Sequence, residues 1–358
     1  MANVGIVGTG WGARVQVPAF REAGLTIAGV AGAHKNKTTR LAGELGIRAF
    51  DDWRSLINEP AIDLVTIVTP PAEHLEMARS ALAAGKHVVS EKPTALNARE
   101  AEQLVDVARR HPDRLALIDH ELRFTDAWRT ARERIGEIGA MRYAEVRYAS
   151  PGRGDRTREW NWWSDADRGG GIWGAVGSHF VDTFRYLGFE IEAAQAVMHA
   201  AFAERPFGES TRRVTSDDIA AVHLRFRGGA PAMLAISAVA SGPDEPATIT
   251  LHGESGAMRL VGEQLLLATP MKPFVRIAGG ELQQRPGNSP GGAFGTGTVL
   301  LGHALRAALD DGDRSALAIA ATFEDGLAQQ RVLDAARQSA ENDGRWMPVL
   351  GPRSSVRG

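Results

Sequence analysis

The chain has no cysteine, which excludes disulfide staples, thiolate catalysis and cysteine-held zinc. Its histidines show no H-E-x-x-H or comparable ligand spacing, so no metal centre is expected. Long apolar runs are missing too, and nothing nears the roughly 18 uninterrupted apolar residues of a spanning helix. Neither charge sign is in excess, because 41 basic residues face 43 acidic ones. That balance supplies no global pull toward nucleic acid or an anionic membrane surface. The opening residues Met1 to Gly10 carry no basic segment ahead of their apolar run, unlike a secretory leader. A cytoplasmic protein is the expectation.

What is present is ordinary globular material, with 44% apolar and 23% charged residues, enough to build real cores. At 358 residues the chain exceeds one typical domain, and two are expected. As far as Ile118, short β-branched runs alternate with amphipathic stretches. The runs are Val4 to Val7, Ile27 to Val30, Leu64 to Val68, His87 to Val89 and Leu115 to Ile118. Helical patterns between them include Thr38 to Leu45, His74 to Ala84 and Ala98 to Arg109. This alternation predicts a parallel sheet covered by helices on both faces. Beyond about residue 140, polar and apolar residues alternate over Met141 to Ala149, Ala220 to Phe226, Ala232 to Val239 and Thr248 to His252. Gly- and Pro-rich separators mark these as antiparallel strands. Gly169 to Leu187 reads as a glycine-led helix, Ala316 to Glu341 as one or two late helices, and Gly279 to Gly297 as a long mobile loop. The fold class is α/β: an N-terminal Rossmann domain over 1–122, then an α+β domain over 123–358 with a large, mostly antiparallel open sheet.

Gly8-Thr9-Gly10-Trp11-Gly12-Ala13 follows the first strand, opens a helix and matches G-x-G-x-x-G/A. Gly8 permits the tight turn, Gly10 lets backbone approach a pyrophosphate, and Ala13 lets the helix pack close to the strand. The helix N-terminus then offers unsatisfied N–H groups to the anion. The second strand bears on cofactor choice. An NAD site usually carries Asp or Glu about 20 residues past the loop, on the ribose 2′-hydroxyl. Here Gly32-Ala33-His34-Lys35-Asn36-Lys37-Thr38-Thr39-Arg40 contains no acid. Lysine and histidine can pair with a 2′-phosphate, so NADP is preferred and NAD is the alternative. The blander account makes Lys35, Lys37 and Arg40 a solvated helix start.

Asp63 to Pro71, His74, Ala84 to Val88 and Glu91-Lys92-Pro93 together resemble the glucose-fructose oxidoreductase / inositol dehydrogenase (Gfo/Idh/MocA) family. Arg168-Gly169-Gly170-Gly171, Gly177-Ser178-His179 and Asp182 match its second signature, and Ala335 to Gly344 extends the likeness toward the C-terminus. The resemblance implies hydride transfer at a sugar-like carbon, with cofactor contacts at Thr69, Pro70, His74, Glu91 and Lys92 as well as along the glycine loop. It implies that Lys92 contacts the reacting oxygen and that His179 is the general acid/base. An ammonium beside an alcohol favours the developing alkoxide, and imidazole suits proton transfer near neutral pH. It also implies a homodimer or homotetramer built through the C-terminal sheet. One position departs from the pattern. Many members carry Asp four residues before the histidine, and Ala175 stands there. A methyl group cannot orient an imidazole, which leaves Asp182, Asp165 and Glu121 as replacements or His179 acting alone.

Arg158 to Asp165 precedes the glycine run, and Trp162 and Trp163 are candidates to stack on a sugar ring, with core or interface packing as the alternative. His120 and Arg123 follow the sixth strand, where open α/β sheets place ligands, and with Asp182 they complete the candidate substrate contacts. The expected function is an NAD(P)-dependent oxidoreductase acting on a sugar, sugar derivative or polyol. Two other readings stand beside it: a non-catalytic dinucleotide-binding regulator, and a sugar-converting enzyme with tightly held cofactor.

Overall fold

The computed structural model describes residues 1–280 and 292–349. Contacts divide the chain into two compact units. The first joins Met1–Ala95 and Arg99–Asp126 to Gly280–Gly326, and the second takes Leu96–Ala98, Ala127–Gly279 and the chain from Leu327. The polypeptide thus passes between units several times, where the sequence was divided once, after residue 122.

In the first unit, strands β1 (Asn3–Val7), β2 (Thr26–Ala31), β3 (Arg48–Ala49), β4 (Leu64–Ile67), β5 (His87–Ser90) and β6 (Ala116–Ile118) form a sheet ordered β3-β2-β1-β4-β5-β6. All these pairs are parallel, and Ala321–Thr322 adds an antiparallel edge against β6. Parallel neighbours need crossovers, supplied by helices α1 (Val17–Glu22), α2 (Lys35–Leu45), α3 (Trp53–Ile57), α4 (His74–Ala83) and α5 (Ala98–Arg110). Strand order reverses between β1 and β4, the position where such sheets open a ligand crevice at their carboxyl ends.

Strand alternation sends Val4 and Ile6 into one core with Phe20 of α1, while an added Cβ at Gly5 would press on Leu56 of α3 from the other side. Beyond α6 (Asp126–Arg134) and α7 (Ser178–Tyr186), the later helices are α8 (Gly292–Asp310) and α9 (Phe323–Glu341). Leu301, Leu305 and Ala308 of α8 join the Phe20 core.

Helix α8 corrects the loop expected over Gly279 to Gly297. Residues 281–291 lie outside the described residues, and from Gly292 the backbone is helical. The glycines serve packing: a Cβ at Gly297 would sit 2.6 Å from the Glu121 carbonyl oxygen, and one at Gly302 would sit 2.8 Å from Ala23. The second correction concerns Gly169 to Leu187. Gly169 and Gly171 have φ of +81° and +107°, so the glycine run is a turn. The chain then forms a wide π turn over Trp173–Gly177 and becomes α-helical only at Ser178. Of the late helices, the Ala316 end is a short 3-10 turn over Arg314–Leu317, and α9 carries the rest.

The second unit holds β7 (Met141–Ala149), β8 (Ile191–His199), β9 (Glu204–Phe207), β10 (Ser210–Arg213), β11 (Ile219–Phe226), β12 (Pro231–Ser237), β13 (Thr248–Gly253), β14 (Ala257–Val261), β15 (Gln264–Ala268) and β16 (Val275–Ala278). Strands β9 and β10 make a separate hairpin. The others form a nine-stranded sheet, β16-β15-β14-β13-β7-β12-β11-β8, ended by Met347–Pro348. Only β7 and β12 pair parallel among its described strands. Along β11 and β12, Val222, Leu224, Leu234 and Ile236 are buried while Ala221, His223, Met233 and Ala235 are exposed. That alternation is the mark of an antiparallel sheet with one covered and one open face.

Candidate active site

The glycine loop has the shape a dinucleotide needs. Gly8 has φ +135°, and a side chain there would run into the Val68 carbonyl. At Gly10 an added Cβ meets no described atom within 4 Å, so this backbone faces open space. A Cβ at Gly12 would lie 2.8 Å from Ile6, which makes Gly12 the close-packing position alongside buried Ala13. Turn, open approach and tight packing are what a pyrophosphate cradle requires, and the residues fit one. The first helical turn, Gly12–Gln16, is π-helical. Thr9 lies against Gly32 at the end of β2. Trp11 is 40% exposed and edge-on to Phe294 at 6.4 Å.

Past β2, Gly32 and Ala33 lead to His34, which is the N-cap of α2. Lys35 pairs with Asp51 at 2.6 Å and Arg40 with Glu44 at 3.7 Å, all four side chains well exposed. Lys37 has no acidic partner within ion-pair distance among the described residues.

Lys92 stands at the carboxyl end of β5, on a turn whose Lys92–Pro93 peptide is cis. His74 braces this turn from beneath. Its Nε2 lies 2.9 Å from the Thr69 carbonyl and its Nδ1 lies 3.1 Å from the Pro93 carbonyl. Burial pulls its pKa down, so the ring is neutral and donates to one of the two. With no exposed surface, His74 holds the Thr69-Pro70 and Lys92-Pro93 segments together and has none to offer a ligand.

Around Lys92 sit carboxyl groups that the sequence did not bring together. Gln16 Nε2 donates to Asp119 Oδ2 at 2.9 Å and reaches Glu91 Oε1 at 3.4 Å. That shared amide brings the Glu91 and Asp119 carboxyls close together, and Glu91 Oε2 accepts the Lys92 backbone N–H. Burial and the Asp119 charge push the Glu91 carboxyl up to about 8, and burial raises Asp119 to about 6. Glu121 is driven well above the carboxylate range by burial and by the charges of Asp119 and Glu91. Gln16 and Asp119 were missed because they are far apart in sequence; the trace they leave is polarity at the carboxyl end of a buried strand. His120 is buried beside them. Arg123 is only 4% exposed, lies 3.4 Å from Asp325 and donates to the Ile319 carbonyl, a role in holding this unit together.

His179 and Asp182 belong to the second unit, three residues apart on α7 and both 5% exposed. Thr183 Oγ1 donates to the His179 carbonyl. Ala175 lies in the π turn, buried beside Trp173, whose indole N–H donates to the Leu333 carbonyl. The rings of Trp162 and Trp163 are 5.7 Å apart and half-buried. Asn161 accepts the Trp163 N–H, and the Trp163 carbonyl accepts Ser216 Oγ at 2.6 Å, which pins this aromatic loop. Asp165 caps its own turn by accepting the Asp167 N–H and lies 3.8 Å from Arg212.

A Rossmann sheet with this glycine loop and a following large, mostly antiparallel sheet defines an NAD(P)-binding oxidoreductase. Residues 2–118 match the model of the oxidoreductase family with NAD-binding Rossmann fold, and 128–259 match the GFO/IDH/MocA C-terminal domain. The chain belongs to the GFO/IDH/MocA family. It is 32% identical over 271 residues to an uncharacterized oxidoreductase of Synechocystis, spanning 74% of this chain and 72% of that protein. It is 30% identical over 224 residues to levoglucosan dehydrogenase of Pseudarthrobacter phenanthrenivorans, covering 58% and 57% of the two chains. A levoglucosan dehydrogenase solved with NADH and levoglucosan superposes with a TM-score of 0.84 at 25% identity, over 98% of this chain and 100% of that one. Among the described residues no helix is long and apolar enough to cross a membrane.

Proposed function

We propose that the protein is an NAD(P)-dependent dehydrogenase or reductase acting on a CH–OH carbon of a sugar, sugar derivative or polyol. The observation that carries this is Lys92, seated at the carboxyl end of β5 in the sheet whose glycine loop fits a dinucleotide. The levoglucosan dehydrogenase relative supports a sugar substrate.

A nicotinamide cofactor held by the glycine loop would supply or accept the hydride. Lys92 directs its ammonium at the substrate oxygen and stabilises the negative charge that develops there as the hydroxyl proton leaves, and in reduction polarises the carbonyl. His179 accepts the hydroxyl proton in oxidation and returns it in reduction. Asp182, one helical turn along α7, is the acid nearest in sequence to that imidazole, and Ala175 contributes no charge. Trp162 and Trp163 present ring faces to the C–H surface of a sugar, with His120 as a polar contact. The cofactor we favour is NADP, because the segment from Gly32 to Arg40 is acid-free and Lys37 has no acidic partner among the described residues; the levoglucosan dehydrogenase structure, by contrast, holds NADH. The open face of the large sheet is where copies of the chain would associate.

The test is Lys92→Met, assayed by nicotinamide absorbance against a panel of sugars and polyols. Turnover should fall by about 10²–10³ while cofactor affinity stays within a few-fold. Full turnover in the variant would remove Lys92 from the chemistry. Ala175 favours one other reading, a dinucleotide-binding regulator without catalysis. Tight cofactor binding with no turnover on any substrate, together with a stable protein partner, would favour it.

A further inference from the structure

Two carboxyl groups held close together away from water do not both ionise, because their like charges repel, so one of them keeps a proton. Glu91 and Asp119 are such a pair: the amide of Gln16 donates to Asp119 Oδ2 at 2.9 Å and lies 3.4 Å from Glu91 Oε1, and the Asp119 charge raises the Glu91 carboxyl. The three residues come from three places: the turn after β5, the end of β6, and the first helical turn after the glycine loop. The same Glu91 carboxyl accepts the backbone N–H of Lys92. One proton and one negative charge are therefore held beside the Lys92 backbone, by a contact that also reaches the helix opened by the cofactor loop.

We propose that Glu91 and Asp119 work as a single shared-proton pair, clamped by Gln16, that positions Lys92 for the reaction. This rests on Lys92 acting at the substrate oxygen, as proposed above. Glu91 and Asp119 are positioning residues, because they act through the lysine. The pair's negative charge and the ammonium of Lys92 attract each other, and burial together with the charges of Asp119 and Glu91 pushes the Glu121 carboxyl up. Either carboxylate alone can carry that charge, so each can stand in for the other. Above pH 8 the shared proton leaves, in line with the high titration of Glu91, and a second charge appears at the seat of the lysine.

The experiment compares Glu91→Gln, Asp119→Asn and the double variant with wild type, in full-length protein loaded with cofactor. Each single variant keeps one charge and should lower kcat/KM at pH 7 by about threefold, while the double should lose more than about 100-fold, beyond the product of the singles. The alkaline fall in kcat/KM above pH 8 should disappear in Asp119→Asn, because Glu91 then ionises at lower pH. Infrared titration gives a readout independent of turnover. The protonated-carboxyl band that vanishes near pH 8 in wild type should vanish at lower pH in Asp119→Asn. Additive losses, or a wild-type band that does not change between pH 6 and 9, would overturn the shared pair. An unchanged infrared result in a protein with no turnover on any substrate would instead count against the catalytic reading.

Discussion

Replacing Gly297 by alanine tests whether glycine in α8 serves close packing. Inside a helix, alanine is ordinarily better than glycine by about 1 kcal/mol. That gain should appear at Gly43 in α2, where a Cβ meets no described atom within 4 Å. At Gly297 the new Cβ would lie 2.6 Å from the Glu121 carbonyl oxygen and 2.8 Å from its carbon. Backbone atoms cannot rotate aside, so either α8 or the turn over Glu121–Phe124 must shift. Overpacking costs about 1–3 kcal/mol, and against unyielding backbone the upper part of that range, about 2–3 kcal/mol, applies; less the helix gain, a net loss of about 1–2 kcal/mol remains. At roughly 2–4 °C per kcal/mol, calorimetry should find the melting of Gly297→Ala lowered by about 2–8 °C and that of Gly43→Ala raised slightly. A Gly297→Ala protein melting at or above wild type would refute the packing role and return this glycine to a loop-like one.

Cofactor preference has its own test. Lys37→Glu should weaken NADP binding at least about tenfold while changing NAD little, read by fluorescence titration; equal losses would remove the phosphate-pairing idea. Stability should also depend on pH through Glu91. Its folded pKa, about 8, lies above its ordinary value of 4.5, so the native state holds the proton more tightly. The resulting stabilisation is full below about pH 4.5 and is lost as pH climbs through about 8, a change on the order of 5 kcal/mol. Buried, neutral His74 acts oppositely, since its lowered pKa makes stability fall on acidification. The informative quantity is therefore the difference between wild type and Glu91→Gln in denaturant melts from pH 5 to 9. It should narrow as pH rises, and parallel curves would show that Glu91 does not titrate this way.

The nucleotide half was readable because strands buried on both faces are continuous apolar runs, and β1, β2, β4 and β5 each lie within a residue of the run that announced them. The antiparallel half was readable for the opposite reason, through the alternation along β11 and β12. Glycine misled where it served packing. Gly297 and Gly302 resemble loop composition, yet they let α8 pack closely within the first unit. The acid cluster was hidden by distance along the chain, for Gln16, Glu91 and Asp119 meet only once the order β1-β4-β5-β6 is set. Lys86, within the motif that pointed to the family, is taken up by the Glu59 and Ile62 carbonyls and shows that a motif can mark architecture as readily as chemistry.

Strand β7 is made first in the large sheet yet ends in its interior, between β12 and β13. During synthesis both its edges wait for segments that begin only at Pro231 and Thr248. Sequential hairpins cannot complete such a ladder, because the parallel partner must slot in after β8 and β11 exist. A ribosome-bound chain stalled before residue 231 would therefore expose Met141–Ala149 on two sides, the stage at which wrong strand pairing and chaperone capture compete most strongly with folding.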